Sequence, residues 1–348
     1  MKNLKLWEEY TRESLHLSIL LTGGIGYIGS HAAASLIEAG YDVVLFDNLS
    51  NSDASVHNRL EKITNKKISF VEGDIRDFEL ISKTLNQYKI EAVMHFAGLK
   101  AVGESVQNPL RYYDNNVGGS MSLIRAMQEN NIKKIVFSSS ATVYGVPQYL
   151  PIDESHPLSA INPYGRTKIY IEEILADLAI SDPDWKIMSL RYFNPIGAHD
   201  SGLIGESPKA VPNNLMPYII KVAKGELAKV NVYGDDYQTP DGTGVRDYIH
   251  VMDLVEGHMA ALLFLNNHSG FHAINLGTGN GYSVKEIIDT FSKVTHTKVP
   301  YEIVGRRDGD VAISYASVDH AKKLLGWQAK RDLKEMCLSA WKVMSSSK

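Results

Sequence analysis

One cysteine, Cys337, stands in a chain of 348 residues. A lone thiol excludes an internal disulfide and a cysteine-rich metal centre, and it fits a reducing cytosol. No metal site is expected. The chain also lacks any apolar stretch near the roughly 20 residues that span a bilayer, and it has no internal repeat or low-complexity tract. An excess of one charge is missing too. Lys and Arg number 36 against 40 Asp and Glu, a net −4 at pH 7, so there is no electrostatic footprint for nucleic acid or an anionic membrane. An anionic substrate must therefore be met by local positive charge. What remains is an ordinary globular balance, 44% apolar and 22% charged, long enough for one large core or two domains sharing an interface.

Residues 1–17 carry Glu8, Glu9 and Glu13 and no apolar run of signal-peptide length. They read as an added or poorly ordered extension; an amphipathic helix through Leu4, Trp7, Tyr10 and Leu15 is the alternative. Short apolar runs at 18–22, 42–46, 68–71, 92–96, 134–138 and 187–191 then alternate with helical patterns at 28–39, 78–88, 110–130 and 164–179. Strands apolar on both faces, alternating with helices, predict an α/β fold: a Rossmann-type doubly wound parallel sheet. After Arg191 the pattern breaks. Three prolines and three glycines between 194 and 215 make that stretch loop-rich, and 234–244 is a second polar loop. Helical patterns at 284–294 and 333–344 suggest a smaller mixed α/β lobe. The boundaries expected are 18–192 for a nucleotide domain and 193–348 for the second, with about 250–265 packing back on the first.

The first strand runs into Gly23-Gly24-Ile25-Gly26-Tyr27-Ile28-Gly29. Glycines at 23, 26 and 29 suit a tight turn, a close backbone approach to a pyrophosphate and close helix packing. The N–H groups of the helix beginning near Tyr27 would face the phosphates. Asp47 follows the second strand, 18 residues after Gly29, where a carboxylate accepts from ribose hydroxyls and repels a 2′-phosphate; NAD is expected rather than NADP. Asp74, after the third strand, would lie near the adenine. Each Asp alone reads equally well as a turn or helix cap.

Tyr164-Gly165-Arg166-Thr167-Lys168 places Tyr and Lys four apart, and none of the other tyrosines has a lysine at that spacing. Asn162 as N-cap and Pro163 as first helical residue should open a helix there, with Tyr164 and Lys168 on one face. The helix follows the strand that runs into Ser138-Ser139-Ser140, at the sheet edge where ligands bind. A phenol titrates at about 10 and must be lowered to serve as a base at neutral pH. The Lys168 ammonium and a positive nicotinamide would both favour phenolate. Ser140 can relay the proton of a reacting hydroxyl. The alternative is an ordinary amphipathic helix with a solvated Lys168.

The segments TGGIGYIGSH (22–31), FDNLSNS (46–52), FAGLKAVGESV (96–106), YYDNNVGGS (112–120), FSSSATVYG (137–145), NPYGRTK (162–168), RYFNPIGAH (191–199), VPNNLMPYI (211–219), DGTGVRDYIHVMDL (241–254) and GRRDGD (305–310) resemble the UDP-glucose (UDP-galactose) 4-epimerases of the extended short-chain dehydrogenase/reductase family. The resemblance runs in order from about residue 19 to the C-terminus. It implies Tyr164 as base, Lys168 as its electrostatic partner and ribose ligand, and Ser140 as third member. For NAD it implies the Gly23, Gly26, Tyr27, Ile28 and Gly29 turn, then Asp47 and Asn48, then Asp74 and Ile75. Phe96, Ala97, Lys100, Asn115 and Tyr192 complete that set with Tyr164 and Lys168. On the UDP-sugar side it implies Lys100, Ser140, Thr142 and Tyr164 near the hexose, with Phe193, Asn194, Asn214 and Leu215. Tyr233, Arg246, Arg307, Asp310 and Ser314 complete that set. Guanidinium forks suit phosphate oxygens, although Arg306 and Arg307 taken singly also read as solvated surface charges.

The reaction so implied has Tyr164 remove the O4 proton while hydride leaves C4 for the nicotinamide. The 4-keto sugar turns about its anchored diphosphate, hydride returns to the other face, and Tyr164 returns the proton. Ser314 stands where some family members have a bulky tyrosine, which implies room for N-acetylated UDP-hexosamines. The family resemblance also implies a homodimer pairing the helices at 110–130 and 164–179; a cytoplasmic location is expected from the lone cysteine. The extension has no counterpart in the family.

A nucleotide-sugar 4,6-dehydratase would need further acid/base groups, commonly an Asp-Glu pair, where Ala141 and Thr142 stand. A net dehydrogenase would need exchangeable cofactor. A non-catalytic NAD- or UDP-sugar-binding protein would not need Tyr164, Lys168 and Ser140 together.

Overall fold

Strands buried on both faces need apolar residues at every position, and the runs rich in Val, Ile, Leu and Phe meet that demand at the centre of the molecule. The computed structural model describes residues 17–207, 214–307 and 309–345; the expectations for residues 1–16 lie outside them. The first six strands are β1 (Ser18–Thr22), β2 (Asp42–Asp47), β3 (Ser69–Glu72), β4 (Ala92–His95), β5 (Lys134–Ser140) and β6 (Lys186–Tyr192). Each begins within a residue of its expected start. They lie in the order β6-β5-β4-β1-β2-β3, all parallel. Because β1 has β2 on one side and β4 on the other, the order reverses there and leaves a crevice beyond its carboxyl end.

Successive residues of β1 feed opposite cores. Ile19 and Leu21 pack in the cluster with Leu36 and Leu45, while Leu20 packs with Val44, Phe46, Phe137 and Trp185. Truncating such a fully buried leucine to alanine costs about 2–5 kcal/mol.

The helices of this part are α1 (Tyr27–Glu38), α2 (Ser55–Thr64), α3 (Phe78–Gln87), α4 (Val102–Gln107), α5 (Pro109–Tyr112), α6 (Gly119–Glu129) and α7 (Pro163–Ser181). The single helix expected over 110–130 is not what forms. Between α5 and α6 lies a π-helical segment, Tyr113–Gly118. Asn116 makes the difference: its side chain accepts from Leu99 N (2.8 Å) and donates to Leu99 O (3.0 Å) and Thr167 Oγ1 (3.1 Å). Ser120 Oγ takes its carbonyl at 2.6 Å. Those bonds replace regular helix geometry at a run of Asn and Gly that favours helix weakly.

Beyond β6 the strands shorten to β7 (Asn194–Ile196), β8 (Val230–Tyr233) and β9 (Val245–His250). Helices α8 (Leu215–Ala223) and α9 (Val251–Asn267) flank these. β10 (Gly270–Leu276) then joins the main sheet beside β6, in parallel, and α9 lies against α1 and β6. β11 (Gly281–Ser283) and β13 (Ile313–Ser314) flank β9, with β7 also on β9, while β12 (Tyr301–Val304) pairs β8. Helices α10 (Val284–Thr295), α11 (Asp319–Leu325) and α12 (Leu333–Ser345) complete the chain. Met216, Ile219, Phe291, Met336 and Cys337 form the core under these small sheets. No described helix is long and apolar enough to cross a membrane.

Candidate active site

The glycine turn is closed by backbone contacts that leave no room for side chains at two positions. Gly23 has φ +69°, and a Cβ there would lie 2.7 Å from Ala97 N; a Cβ on Gly29 would lie 2.2 Å from Gly23 O. Gly26 is looser, its nearest neighbours being Gly23 O at 3.2 Å and Ser52 Oγ at 3.9 Å. It caps α1 without a side-chain bond, so no capping side chain covers the first N–H groups of α1. Asp47, buried at the end of β2, accepts from Ile25 N at 3.1 Å and Leu49 N at 2.9 Å. The carboxylate that was expected at the ribose therefore also braces the turn. This cradle fits a dinucleotide: an open glycine surface, an uncapped helix start and a carboxylate beyond β2.

The adenine side is less free than expected. Asp74 is forked by Arg76 at 2.9 and 2.8 Å and accepts from Asn48 Nδ2 at 3.1 Å. Hydrogen bonds from the Arg76 guanidinium hold its carboxyl well below the usual range. Arg76, which also reaches Asp114 at 2.6 Å, escaped the sequence reading. Ile75 is buried and sits where a Cβ on Gly119 would fall. Tyr27 spends its hydroxyl on Gly197 O (2.7 Å), so at the start of α1 it offers its backbone N–H. Ile28 packs against the core. Ala97 N lies 3.4 Å from Thr22 Oγ1, and the Phe96 ring lies 5.0 Å from that of His258. His258 also bonds the buried Tyr192 hydroxyl, and Asn115 donates to Asn116 Oδ1 at 2.9 Å.

At the end of β5 the expected trio comes together. Asn162 caps α7 by accepting from Gly165 N at 2.8 Å, with Pro163 in the first turn. Lys168 Nζ donates to Ser138 O at 2.6 Å and lies 5.8 Å from the Tyr164 ring centroid. Ser140 Oγ accepts from Thr142 N (3.2 Å) and Thr142 Oγ1 (3.0 Å). With two donors aimed at that oxygen, its own proton is available to a further acceptor, and Ser140 acts to lower the nearby Tyr164 phenol. A donor of this kind favours phenolate. Ala141 and Thr142 follow, so no carboxylate stands in the place a dehydratase pair would take.

The protein's own groups act on this phenol in both directions. Desolvation pushes the Tyr164 phenol up, and Ser140 and the Lys100 cation pull it down without overcoming it. Burial also pushes Lys168 down to about 8, against the Glu172 carboxylate. The protein's own groups thus leave Tyr164 above its ordinary value, and Lys100 is a cation that lowers it beside the expected Lys168, whose Nζ lies 5.8 Å from the ring centroid. The neighbouring His95 is neutral: burial, then the Lys168 charge, bring it to about 3.

On the sugar side the predicted residues fall into two groups. Lys100 Nζ and Asn214 Nδ2 both donate to Glu206 Oε1, at 2.9 and 2.6 Å, a shared acceptor that the sequence did not reveal. Arg307 forks Asp310 at 3.1 and 3.0 Å and lies 5.1 Å over the Tyr233 ring. Asp310 is in turn 3.9 Å from Arg246. Arg306 turns elsewhere, to Asp236 at 2.7 Å and over Tyr237 at 4.1 Å. Ser314 on β13 is the register partner of Arg246 on β9, and Asn194 on β7 is the partner of Tyr248. Phe193 is buried with Val143, Tyr144, Ile152 and Ala316, and Leu215 opens α8. Asp247 was also missed. Buried beside Arg246, it accepts from Thr278 N (2.8 Å), Gly279 N (2.9 Å) and Ala316 N (3.1 Å), so it fixes the loops around Ser314. Its strand, Val245–His250, also carries Arg246 and His250, so an acidic residue there gave no distinct signal.

The family model described as GDP-mannose 4,6 dehydratase matches residues 20–339. The UDP-glucose 4-epimerase of Bacillus subtilis (strain 168) is 55% identical over 331 residues, covering 95% of this chain and 98% of that protein. The solved structure of UDP-glucose-4-epimerase from Stenotrophomonas maltophila, with bound NAD and formylated UDP-arabinopyranose, superposes with a TM-score of 0.93 at 51% identity. It covers 95% of this chain and 98% of that one. That from Bifidobacterium longum, in complex with NAD+ and UDP, gives 0.92 at 49% identity, covering 95% and 98%.

Proposed function

The chain belongs to the UDP-glucose 4-epimerases of the extended short-chain dehydrogenase/reductase family, and from that premise we propose how its own residues carry the reaction. It is an NAD-dependent enzyme that interconverts UDP-glucose and UDP-galactose. The observation that carries the proposed roles is the meeting of Ser140, Tyr164 and Lys168 at the carboxyl end of β5. Gly23, Gly26 and Gly29 with the start of α1 hold the pyrophosphate of NAD, and Asp47 its ribose. When bound, NAD accepts a hydride from the sugar carbon and returns it. Tyr164 removes the proton of the sugar O4 and later gives it back, with Ser140 donating to the phenolate oxygen and Lys168 and Lys100 supplying positive charge. Arg246 and Arg307 hold the diphosphate so that the hexose can turn about that anchor. One phenol then serves both epimers.

Chromatographic conversion of UDP-galactose, with no coupling enzyme and no added reductant, tests this function. The expected result is UDP-glucose formation with no net absorbance change near roughly 340 nm, the NADH band. A net change speaks for a dehydrogenase, and no conversion for a binding protein.

We further propose that N-acetylated UDP-hexosamines are accepted. Ser314 is a small residue paired in register with Arg246, so its side chain is on the same face as the diphosphate ligand. Ser314→Tyr should lower turnover of UDP-N-acetylglucosamine at least about tenfold while sparing UDP-galactose; equal losses on both sugars contradict it. We also propose a cytoplasmic homodimer through α5–α7, where Leu110 is 81% and Ile180 82% exposed. Light scattering at the monomer mass would overturn the dimer. Residues 18–192 form the nucleotide domain in this reading, with α9 and β10 returned to it, and the rest of 193–348 binds the UDP-sugar.

A further inference from the structure

The three serines that end β5 meet three residues spaced by four on α7. The carbonyl of Ser138 accepts from Lys168 Nζ at 2.6 Å, the hydroxyl of Ser139 donates to Glu172 Oε1 at 2.5 Å, and Ser140 acts to lower the Tyr164 phenol. Residues 164, 168 and 172 share one helix face. Two of them belong to the reacting group already described. The third, Glu172, is buried and heavily bonded: Ser189 Oγ reaches Oε1 at 2.9 Å, Arg191 Nε lies 3.1 and 3.2 Å from its two oxygens, and Arg191 Nη2 is 2.6 Å from Oε2. Arg191 also donates to the Tyr144 hydroxyl at 3.0 Å. One carboxylate therefore ties α7 to both β5 and β6.

Seating a helix does not require this. A buried ion pair is often no more stabilising than well-packed apolar residues of the same volume, and Ile171 and Leu175 on α7 already pack in that core. What apolar residues cannot supply is charge. Lys168 rests on neutral groups, the Ser138 carbonyl and the rings of Phe137 (4.8 Å) and Tyr164. We propose that Glu172 is a positioning residue for the Tyr164–Lys168 pair, fixing both side chains through α7 and offsetting the buried charge of Lys168. This rests on the reading of Tyr164 as base and Lys168 as its partner.

The titratable and charged groups facing the Tyr164–Lys168 pair are Glu172 on α7, His95 on β4, Lys100 beyond β4 and Tyr192 on β6, with Arg191 on β6, Tyr144 after β5 and Glu154 in the next loop grouped around the Glu172–Arg191 ion pair. His95 at about 3 and Tyr144 at about 12 stay neutral across the working range. Glu172 opposes the desolvation that brings Lys168 to about 8, so without it Lys168 loses its proton at lower pH.

The test compares Glu172→Gln with the double variant Glu172→Gln/Arg191→Met. The single variant should melt lower, because it leaves Arg191 buried without a counter-charge, and the double variant should regain the wild-type melting temperature. The double variant should nevertheless lose kcat at a lower pH than wild type, with KM unchanged, because Lys168 gives up its proton sooner. The Lys168 ε-carbon, followed by NMR in 13C-lysine protein, should titrate with the same displacement. A double variant with wild-type stability, pH profile and Lys168 titration overturns the proposal. If it does not fold, Glu172→Asp decides: it should keep the alkaline limb but lower kcat, and an unchanged kcat overturns the proposal. Tyr164→Phe run in parallel separates the two layers. Turnover retained there sinks the base assignment itself; turnover lost there, with an unaltered double variant, sinks the Glu172 inference alone.

Discussion

The nucleotide cradle and the sugar-side cluster are built from different materials. The cradle is backbone: Gly23 and Gly29 are packed against peptide atoms, and α1 presents N–H groups. The sugar side is long charged side chains holding one another, Arg307 on Asp310, and Lys100 with Asn214 on Glu206. Backbone sites are specified by the absence of a side chain, and they tolerate almost no substitution. Ion-paired sites are specified by partners, so each member has a distinct and separable effect.

The largest effect expected is within the cradle. Gly29→Ala should abolish NAD retention, since its Cβ falls 2.2 Å from Gly23 O and neither atom is on a flexible side chain. Overpacking of that kind costs about 1–3 kcal/mol or more. Gly26→Ala, with 3.2 Å to its nearest neighbour, should bind NAD more weakly yet stay folded. NAD content after gel filtration and the melting temperature check both. Equal behaviour of the two variants would break the view that backbone crowding sets this site.

A smaller effect should separate the adjacent arginines. Arg307→Ala should raise KM for UDP-galactose by roughly 10–100-fold through loss of a charge-assisted fork. Arg306→Ala should leave KM unchanged, because Arg306 is engaged by Asp236 and Tyr237. A reversed order would show that the Arg307–Asp310 pair is a surface contact.

The same contrast explains what could be read from the sequence. β1, its glycine turn and the Asn162-Pro163 start of α7 were legible because local rules govern them: apolar runs, glycine spacing and a capping residue. The trio at the end of β5 was legible because strand-then-helix order places it at the sheet edge. The π-helical break at Tyr113–Gly118 was not, since it depends on Asn116 meeting Leu99 and Thr167, 17 and 51 residues away. Nor was Glu206, which reaches Lys100 across 106 positions. Arg76 and Glu172 were hidden for another reason: their spacing suggests ordinary surface helix or turn residues until the fold buries or pairs them. The upward push that burial puts on Tyr164 was not legible either, because desolvation depends on packing that no spacing reveals.

Everything turns on whether the Tyr164 phenol moves the proton. The direct measurement is kcat for UDP-galactose in Tyr164→Phe, alongside the Kd for UDP and the bound NAD content. Loss of the acid/base group should lower kcat by about 10²–10⁴-fold, with UDP affinity and NAD retained, because the phenyl ring keeps the packing. A Tyr164→Phe enzyme with wild-type kcat would contradict the account.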